Sequence, residues 1–290
     1  TEEKMVVMSN KGYISVKDMG ASLGKPVLLF RASCEFEGEF DAACRYFDTY
    51  RFRSEPPAYS TVIGRYSVLP FYSELEVDLC NVDNSKLINS YAQHRWISNF
   101  DYYETMEDIT PRTWRDGEMP RCEYDGPFVV KGATNSRKFR WDTHMFARDK
   151  RRAIEIGAEL SCDDLIGPQG LIYRKYIPLK TFEVGINGLP FTNEWRFFFL
   201  GKKLIAHGYY WSTAEKPELA TMDERGLALA QKVANRASKH VNFFAVDIAE
   251  KADGSGWILI ELNDGQMAGL SEIDPYVFYK NLGEACGITY

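Results

Sequence analysis

Two apolar runs late in the chain carry its most informative pattern. FFAVDI (Phe243–Ile248) and GWILIEL (Gly256–Leu262) are rich in β-branched and aromatic residues and flank Asp253-Gly254-Ser255-Gly256, a hairpin signature. Symmetric pairing about Gly254 sets Asp247 opposite Glu261, and period-two alternation adds Asn263 to their face. Val246, Ile248, Ile258, Ile260 and Leu262 then point to the other side. Two carboxylates and a carboxamide converging on one face repel unless a cation lies between them. Hard oxygen ligands of this kind suit Mg²⁺. The same alternation also fits a hairpin with one solvated face.

Upstream, residues 1–20 are polar and read as a small hairpin or a loose leader. Lys25–Arg31 and Thr61–Val68 read as strands, while Glu35–Arg51 has helical spacing at Phe36, Phe40, Cys44 and Phe47, broken by Pro56-Pro57. Leu75–Cys80 and Tyr91–Phe100 read as helices, with a strand end at Leu87–Ser90. Such alternation suggests a small α/β layer. Thr110–Arg121, with two prolines and Asp116-Gly117, reads as a linker or ordered loop, and the domain boundary falls near Asp125. Next come strand Gly126–Lys131, a polar loop carrying Arg137 and Lys138, and a helix capped by Asp142 or Thr143 that runs to about Leu160. Leu171–Ile177 is a strand stopped by Pro178, and Glu194–Leu200 with Lys203–Trp211 forms a hairpin. Met222–His240 is an amphipathic helix with Leu227, Ala230, Val233, Ala234 and Ala237 on its apolar side.

Composition narrows the class without naming a chemistry. A hydrophobic content of 45% over 290 residues supplies a full core and excludes a disordered chain. The net charge of −6 and the lack of a basic tract argue against a general nucleic-acid surface. Cys34, Cys44, Cys80, Cys122, Cys162 and Cys286 show neither CxxC pairs nor metal-ligand spacing, which fits a reduced, cytoplasmic protein. TEEKMVVMSNKG lacks the regions of a signal peptide, and no apolar run reaches membrane-spanning length.

Other residues add candidate chemistry. Lys131 at a strand end, followed by a cationic loop, offers a triphosphate a point charge and a flexible cover, although no GxxxxGK[ST] loop is present. Glu194 and Arg196 share a strand face, either as a surface ion pair or as an arginine serving a transferring phosphoryl group. Arg65, Tyr66 and Ser67 at a strand end are either structural or in reach of a carboxylate substrate. His94, His144, His207 and His240 lack ligand spacing, and Tyr209-Tyr210-Trp211 reads as core or rim.

In order, type and spacing these features resemble the ATP-grasp superfamily. The series is a strand lysine (Lys131), a basic loop, a linker strand (Arg174 to Ile177), Glu-x-Arg (Glu194, Arg196), an isolated Asp247, and Glu-x-Asn (Glu261, Asn263). The wording is closest to the clade labelled R-two-K and more distantly similar to the cell-division-cycle family of ATP-grasp assembly factors. VIGRYSVLPF, LINSYAQH, TPRTW, FVVKGATNSRKF, FTNEWRFF and IELNDGQMAGLS carry the likeness, over about residues 60–280.

The resemblance implies an α+β fold: two ATP-grasp subdomains (126–175 as lid, 176–290 as C-terminal part) behind a small α/β pre-ATP-grasp domain (1–125). Lys131 would hold the α/β-phosphates with Arg137 and Lys138 nearby. Arg174 and the backbone of Lys175, Tyr176 and Ile177 would border the adenine, and Glu194 would meet the ribose. Asp247, Glu261 and Asn263 would bind Mg²⁺, and Arg196 would stabilise the transferring phosphate. Gly265, Gln266 and Ser271 would lie beside the acceptor substrate, with Arg65 toward the carboxylate. Two features depart from the family pattern. The usual glycine-rich lid is replaced by ATNSRKF, preceded only by Gly132, and Arg95 stands in for the customary upstream lysine. The implied activity is an ATP- and Mg²⁺-dependent carboxylate–amine ligase using small-molecule acid and amine substrates, a modified nucleotide among the acceptors not excluded. The alternative is an ATP-binding assembly factor that grips a protein partner without small-molecule turnover.

Overall fold

The apolar run Val27–Phe30 is buried on both sides, as befits a strand inside a parallel sheet. The computed structural model describes residues 24–289 apart from 53 and 55, so the expected N-terminal hairpin or leader lies outside the described residues. The first unit contains β1 (Gly24–Phe30), α1 (Glu37–Cys44), β2 (Thr49–Arg51), β3 (Ser60–Arg65), α2 (Tyr72–Asp83), β4 (Lys86–Leu87), α3 (Tyr91–Ser98) and α4 (Tyr103–Met106). Its strands form one parallel sheet in the order β2-β1-β3-β4. The helical spacing expected to Arg51 stops at Cys44, because Thr49–Arg51 pairs with the edge of β1. Ser90 and Gln93 start α3 with a reciprocal capping box.

The second unit holds β5 (Thr113–Arg115), β6 (Phe128–Gly132), α5 (Trp141–His144), β7 (Phe146–Ala147), α6 (Lys150–Ser161) and β8 (Leu171–Lys175). They build an antiparallel sheet in the order β5-β8-β6-β7. Part of the expected linker is therefore a strand, β5, held by β8. The helix expected from Asp142 is also divided. Phe146–Ala147 pairs with β6, and the long helix begins anew at Asp149, whose carboxylate accepts the Arg152 N–H at 2.8 Å.

The third unit comprises β9 (Thr181–Val184), β10 (Pro190–Thr192), β11 (Glu194–Leu200), β12 (Lys203–Tyr209), α7 (Glu224–Ala237), β13 (Phe243–Glu250), β14 (Trp257–Asp264) and α8 (Pro275–Ala285). An antiparallel sheet in the order β12-β11-β13-β14 is its floor. One face packs on α7 through Phe197, Phe199, Phe244, Val246, Ile248 and Leu262. Leu227, expected on the apolar side of α7, is 40% exposed. Gly226 lies so close to the Trp257 indole that the buried stripe runs through 226, 230, 233, 234 and 237 instead, turning Leu227 outward. Among the described residues no helix is long and apolar enough to cross a membrane.

Asp247 pairs with Glu261, as the symmetric hairpin requires, but the register shifts immediately afterwards. Ile248 pairs with Leu259, which leaves Ile260 as the extra residue of a bulge. Ile260, expected on the far face, consequently lines the cleft described next.

Candidate functional site

Asp247 on β13 lies between Arg196 of β11 and Glu261 of β14 in the ladder, so three charged side chains share one sheet face. The Arg196 guanidinium donates twice to the Asp247 carboxylate, Nε at 2.8 Å and Nη2 at 2.7 Å. Asn263 Nδ2 donates to Asp247 at 3.0 Å and to Glu261 at 3.4 Å, and Lys131 Nζ donates to Glu261 at 2.5 Å. Asp247 is fully buried, and that burial pushes its carboxyl upward against the pull of Arg196. Burial opposes ionisation of Glu261 too, yet the Lys131 ammonium, together with Arg196 and the Asn263 amide, outweighs it and holds this carboxyl down at about 2. Arg196 stays cationic despite its burial because Asp247 lies against it.

A cleft opens from these groups between the β6/β8 sheet and the β11–β14 sheet. Lys131, Lys138, Glu194, Tyr210 and Glu261 line it, and so do Lys175, Tyr176 and Ile177 of the segment that joins the second unit to the third. Apolar walls come from Val129, Met145, Leu179 and Leu189. An apolar slot that also holds clustered cations and carboxylates suits a flat heterocycle joined to a polyanion. The N–H groups of Lys175 and Tyr176 are taken by Arg112 O and Pro127 O. Among the described residues the Ile177 N–H has no partner, which leaves a donor on the lining of the slot.

A family profile described as an ATP-grasp domain, R-two-K clade family 3, matches residues 116–282. The chain belongs to the ATP-grasp superfamily, in its R-two-K clade. Among solved structures, a RimK domain ATP-grasp protein from Sphaerobacter thermophilus is 16% identical, with a TM-score of 0.54 over 90% of this chain and 99% of that one. The ATP-grasp ligase PsnB complexed with minimal precursor is 12% identical at a TM-score of 0.55, over 91% and 98%. D-alanyl-alanine synthetase A from Vibrio cholerae is 11% identical at 0.53, over 92% and 98%. At such identities these likenesses speak to the fold. No curated protein matches the chain.

Within this ATP-grasp fold, the residues expected at the site divide. Lys131, Lys138, Arg174, Lys175, Tyr176, Ile177, Glu194 and Glu261 border the cleft. Asp247, Arg196 and Asn263 adjoin it through the contacts above. Arg137 is held by both oxygens of Asp163, at 2.7 and 2.6 Å, and does not line the cleft. Arg95 lies exposed on α3 over the Tyr91 ring, so another cation against this cleft is Arg174, buried with its guanidinium on Thr110 and the Ile260 carbonyl.

The acceptor-side expectations need two corrections. Gln266 is fully buried, its amide bonding the Gly64 N–H at 2.8 Å and Tyr72 at 2.5 Å. Arg65 has no exposed surface: it meets Glu39 at 2.7 Å, Tyr279 at 3.0 Å, Tyr66 at 2.8 Å, and the carbonyls of Gly265 and Ala268. Both residues are fully buried and fasten the segment after β14 to the first unit. Gly265 sits where a Cβ would strike the Phe243 ring, and Ser271 adopts φ 55°. The Gly269 carbonyl accepts from Arg196 at 2.9 Å, tying the same segment to the charged cluster.

Sequence reasoning missed four contributors. Tyr210 and Trp211 line the cleft although their local pattern reads as core or rim. Ile260 arrives through the bulge. Asp264, next to the Glu-x-Asn pair, anchors a buried network of Tyr72 at 3.0 Å, Asn89 at 2.8 Å and His94 at 3.1 Å. Its acidity just after Asn263 was the available signal.

The donor set fits a hard divalent cation. Among the described residues no cluster of three His, Cys, Asp or Glu could hold a metal, so Asp247 and Glu261 would need the Asn263 carboxamide oxygen as third protein donor. One or two carboxylates completed by water and phosphate oxygens is the habit of Mg²⁺.

Glu194 supplies a pH signature. Burial, with Asp247 and Glu261 nearby, raises its carboxyl to about 8. A carboxyl raised on folding is more easily kept protonated in the folded state, so stability falls as pH climbs from the ordinary carboxylate range through about 8. Glu194→Gln should flatten this loss, raising stability at pH 9 relative to wild type by on the order of a few kcal/mol in ligand-free protein. Paired urea titrations at pH 6 and pH 9 check it. Equal pH dependence in both proteins would remove Glu194 as the source.

Proposed function

We propose that this ATP-grasp protein is an ATP- and Mg²⁺-dependent carboxylate–amine ligase. The observation that carries the proposal is the joint placement of Asp247, Glu261 and Asn263 with Lys131 and Arg196 beside an apolar cleft. The Ile177 N–H and the apolar walls suit adenine, and Glu194 suits the ribose hydroxyls. Lys131 and Lys138 would meet the α/β- and β/γ-phosphates as point charges. Mg²⁺, held by Asp247, Glu261 and Asn263, would supply charge neutralisation between the phosphates. Arg196, buried and fixed by Asp247, would stabilise charge on the transferring phosphoryl group.

The substrate carboxylate attacks the γ-phosphorus, forming an acylphosphate with ADP as leaving group. An amine then attacks the acyl carbon and expels phosphate. No covalent help from a nucleophilic side chain is required, because positioning and charge neutralisation carry phosphoryl transfer. The segment Gly265–Ser271, tied to Arg196 through Gly269, would lie beside the acceptor substrate.

The test is release of ADP and phosphate across a panel of amino acids and peptides offered as acid and amine. Stimulation that requires both an acid and an amine is the expected outcome. ATP bound with no turnover over the whole panel would reject the ligase and favour a protein-gripping assembly factor.

A further inference from the structure

Beside Arg174, the cations Lys131, Arg196 and Lys138 stand at the charged part of the cleft, and they are held in different ways. Lys131 is paired with Glu261, and Arg196 with Asp247. Lys138, from the segment between β6 and α5, has no carboxylate within ion-pairing distance among the described residues. Its ammonium instead lies 4.9 Å from the centroid of the Tyr210 ring and 5.1 Å from that of Trp211, and it donates to the Tyr210 hydroxyl at 3.2 Å. The Arg196 guanidinium carbon is also 4.9 Å from the Tyr210 centroid. One ring therefore contacts a cation from the lid and a cation from the sheet floor.

The chemistry of that contact differs from an ion pair. A ring attracts a cation through its quadrupole and leaves the positive charge un-neutralised. Burial lowers the proton affinity of Lys138, and the carboxylates of Glu194, Glu261 and Asp247, beyond ion-pairing distance, offset this only in part. The phenol itself is kept neutral, burial and the surrounding carboxylates raising its pKa well above the ordinary value. A cation lining the cleft and held by a neutral partner is poised for an incoming anion, with no carboxylate to displace.

We infer that Tyr210 is a positioning residue for the nucleotide's phosphate tail, its ring holding Lys138 of the lid and Arg196 of β11 in place for the polyanion. The inference rests on the nucleotide-binding reading of this cleft. Trp211 backs Lys138 but not Arg196, so Tyr210 is the ring that joins the two cations.

Calorimetric titration of the full chain with Mg²⁺·ATP and, separately, with adenosine tests the role. Tyr210→Leu should weaken ATP about tenfold or more while leaving adenosine within about twofold, because only ATP presents phosphates to the two cations. Tyr210→Phe keeps the ring and should hold ATP affinity within about threefold of wild type. It decides the matter by itself should the leucine variant fail to fold, since a loss beyond about tenfold in Tyr210→Phe would overturn the role of the ring. Equal loss of ATP and adenosine in Tyr210→Leu, or no loss of ATP, would overturn it as well. Wild type that binds neither ligand would instead overturn the nucleotide reading, a result distinct from those two.

Discussion

Asp247→Asn is expected to abolish ATP-dependent turnover, with at least about a thousandfold loss in ADP release, because two functions converge on this carboxylate. It contributes a charged oxygen to the proposed metal site, and it fixes Arg196 through two hydrogen bonds on a fully buried side chain. The amide can accept only one of those bonds and carries no charge. A stability cost accompanies the change, since breaking a buried pair strands the remaining charge, at roughly 3–5 kcal/mol when one partner is removed outright. Glu261 stands near enough to Arg196 to offset part of it. Turnover and melting temperature measured side by side separate the two effects. A folded Asp247→Asn protein within about tenfold of wild-type turnover would reject the assignment.

The second large effect falls on stability. Arg65 is buried at the meeting point of α1, α8 and the segment after β14, and Arg65→Ala strands Glu39 together with the carbonyls of Gly265 and Ala268. Loss of one member of such a buried network costs roughly 3–5 kcal/mol, which lowers the melting temperature of a chain this size by on the order of ten degrees. Arg65→Lys should recover only part of the loss. An ammonium can replace the charge opposite Glu39 but cannot reach Tyr279, Tyr66 and two carbonyls from one planar fork. Calorimetric melts of the two variants decide the matter, and a shift of one or two degrees in Arg65→Ala would show the network to be dispensable.

The two sites also show which information lies along the chain and which does not. Asp247, Glu261 and Asn263 were legible because strict alternation and a glycine-containing loop fix which residues share a face. Lys131 was legible by its place at the end of an apolar strand. The cleft face of Ile260 was not, since a bulge is set by how two strands settle against their neighbours, and nothing in WILIEL marks it. Arg65 and Gln266 misled for another reason. Their polar side chains at strand and loop ends suit a ligand, while contacts 200 or more residues apart in sequence, Arg65 with the Gly265 carbonyl and Gln266 with the Gly64 N–H, bury them. Tyr210 belonged to an aromatic run whose pattern fits a rim, and its contact with Lys138 depends on how the lid approaches the floor. Asp149 displaced Asp142 as the helix cap because Phe146–Ala147 found a strand partner. Local pattern gave faces and periods; the approach of one unit to another decided the rest.

Both carboxylates proposed for the metal are engaged by the protein's own cations, Glu261 by Lys131 and Asp247 by Arg196. A divalent ion arriving alone would face carboxylates whose charge is spoken for. A triphosphate arriving alone would face Lys131 and Arg196 in the same condition, with Lys138 held by a neutral ring. Under the proposed function, an anion that drew Lys131 toward itself would free Glu261 for the ion, so each arrival would ease the other. Loading would then be synergistic, with the metal–nucleotide complex as the natural entrant and either component by itself a weak one.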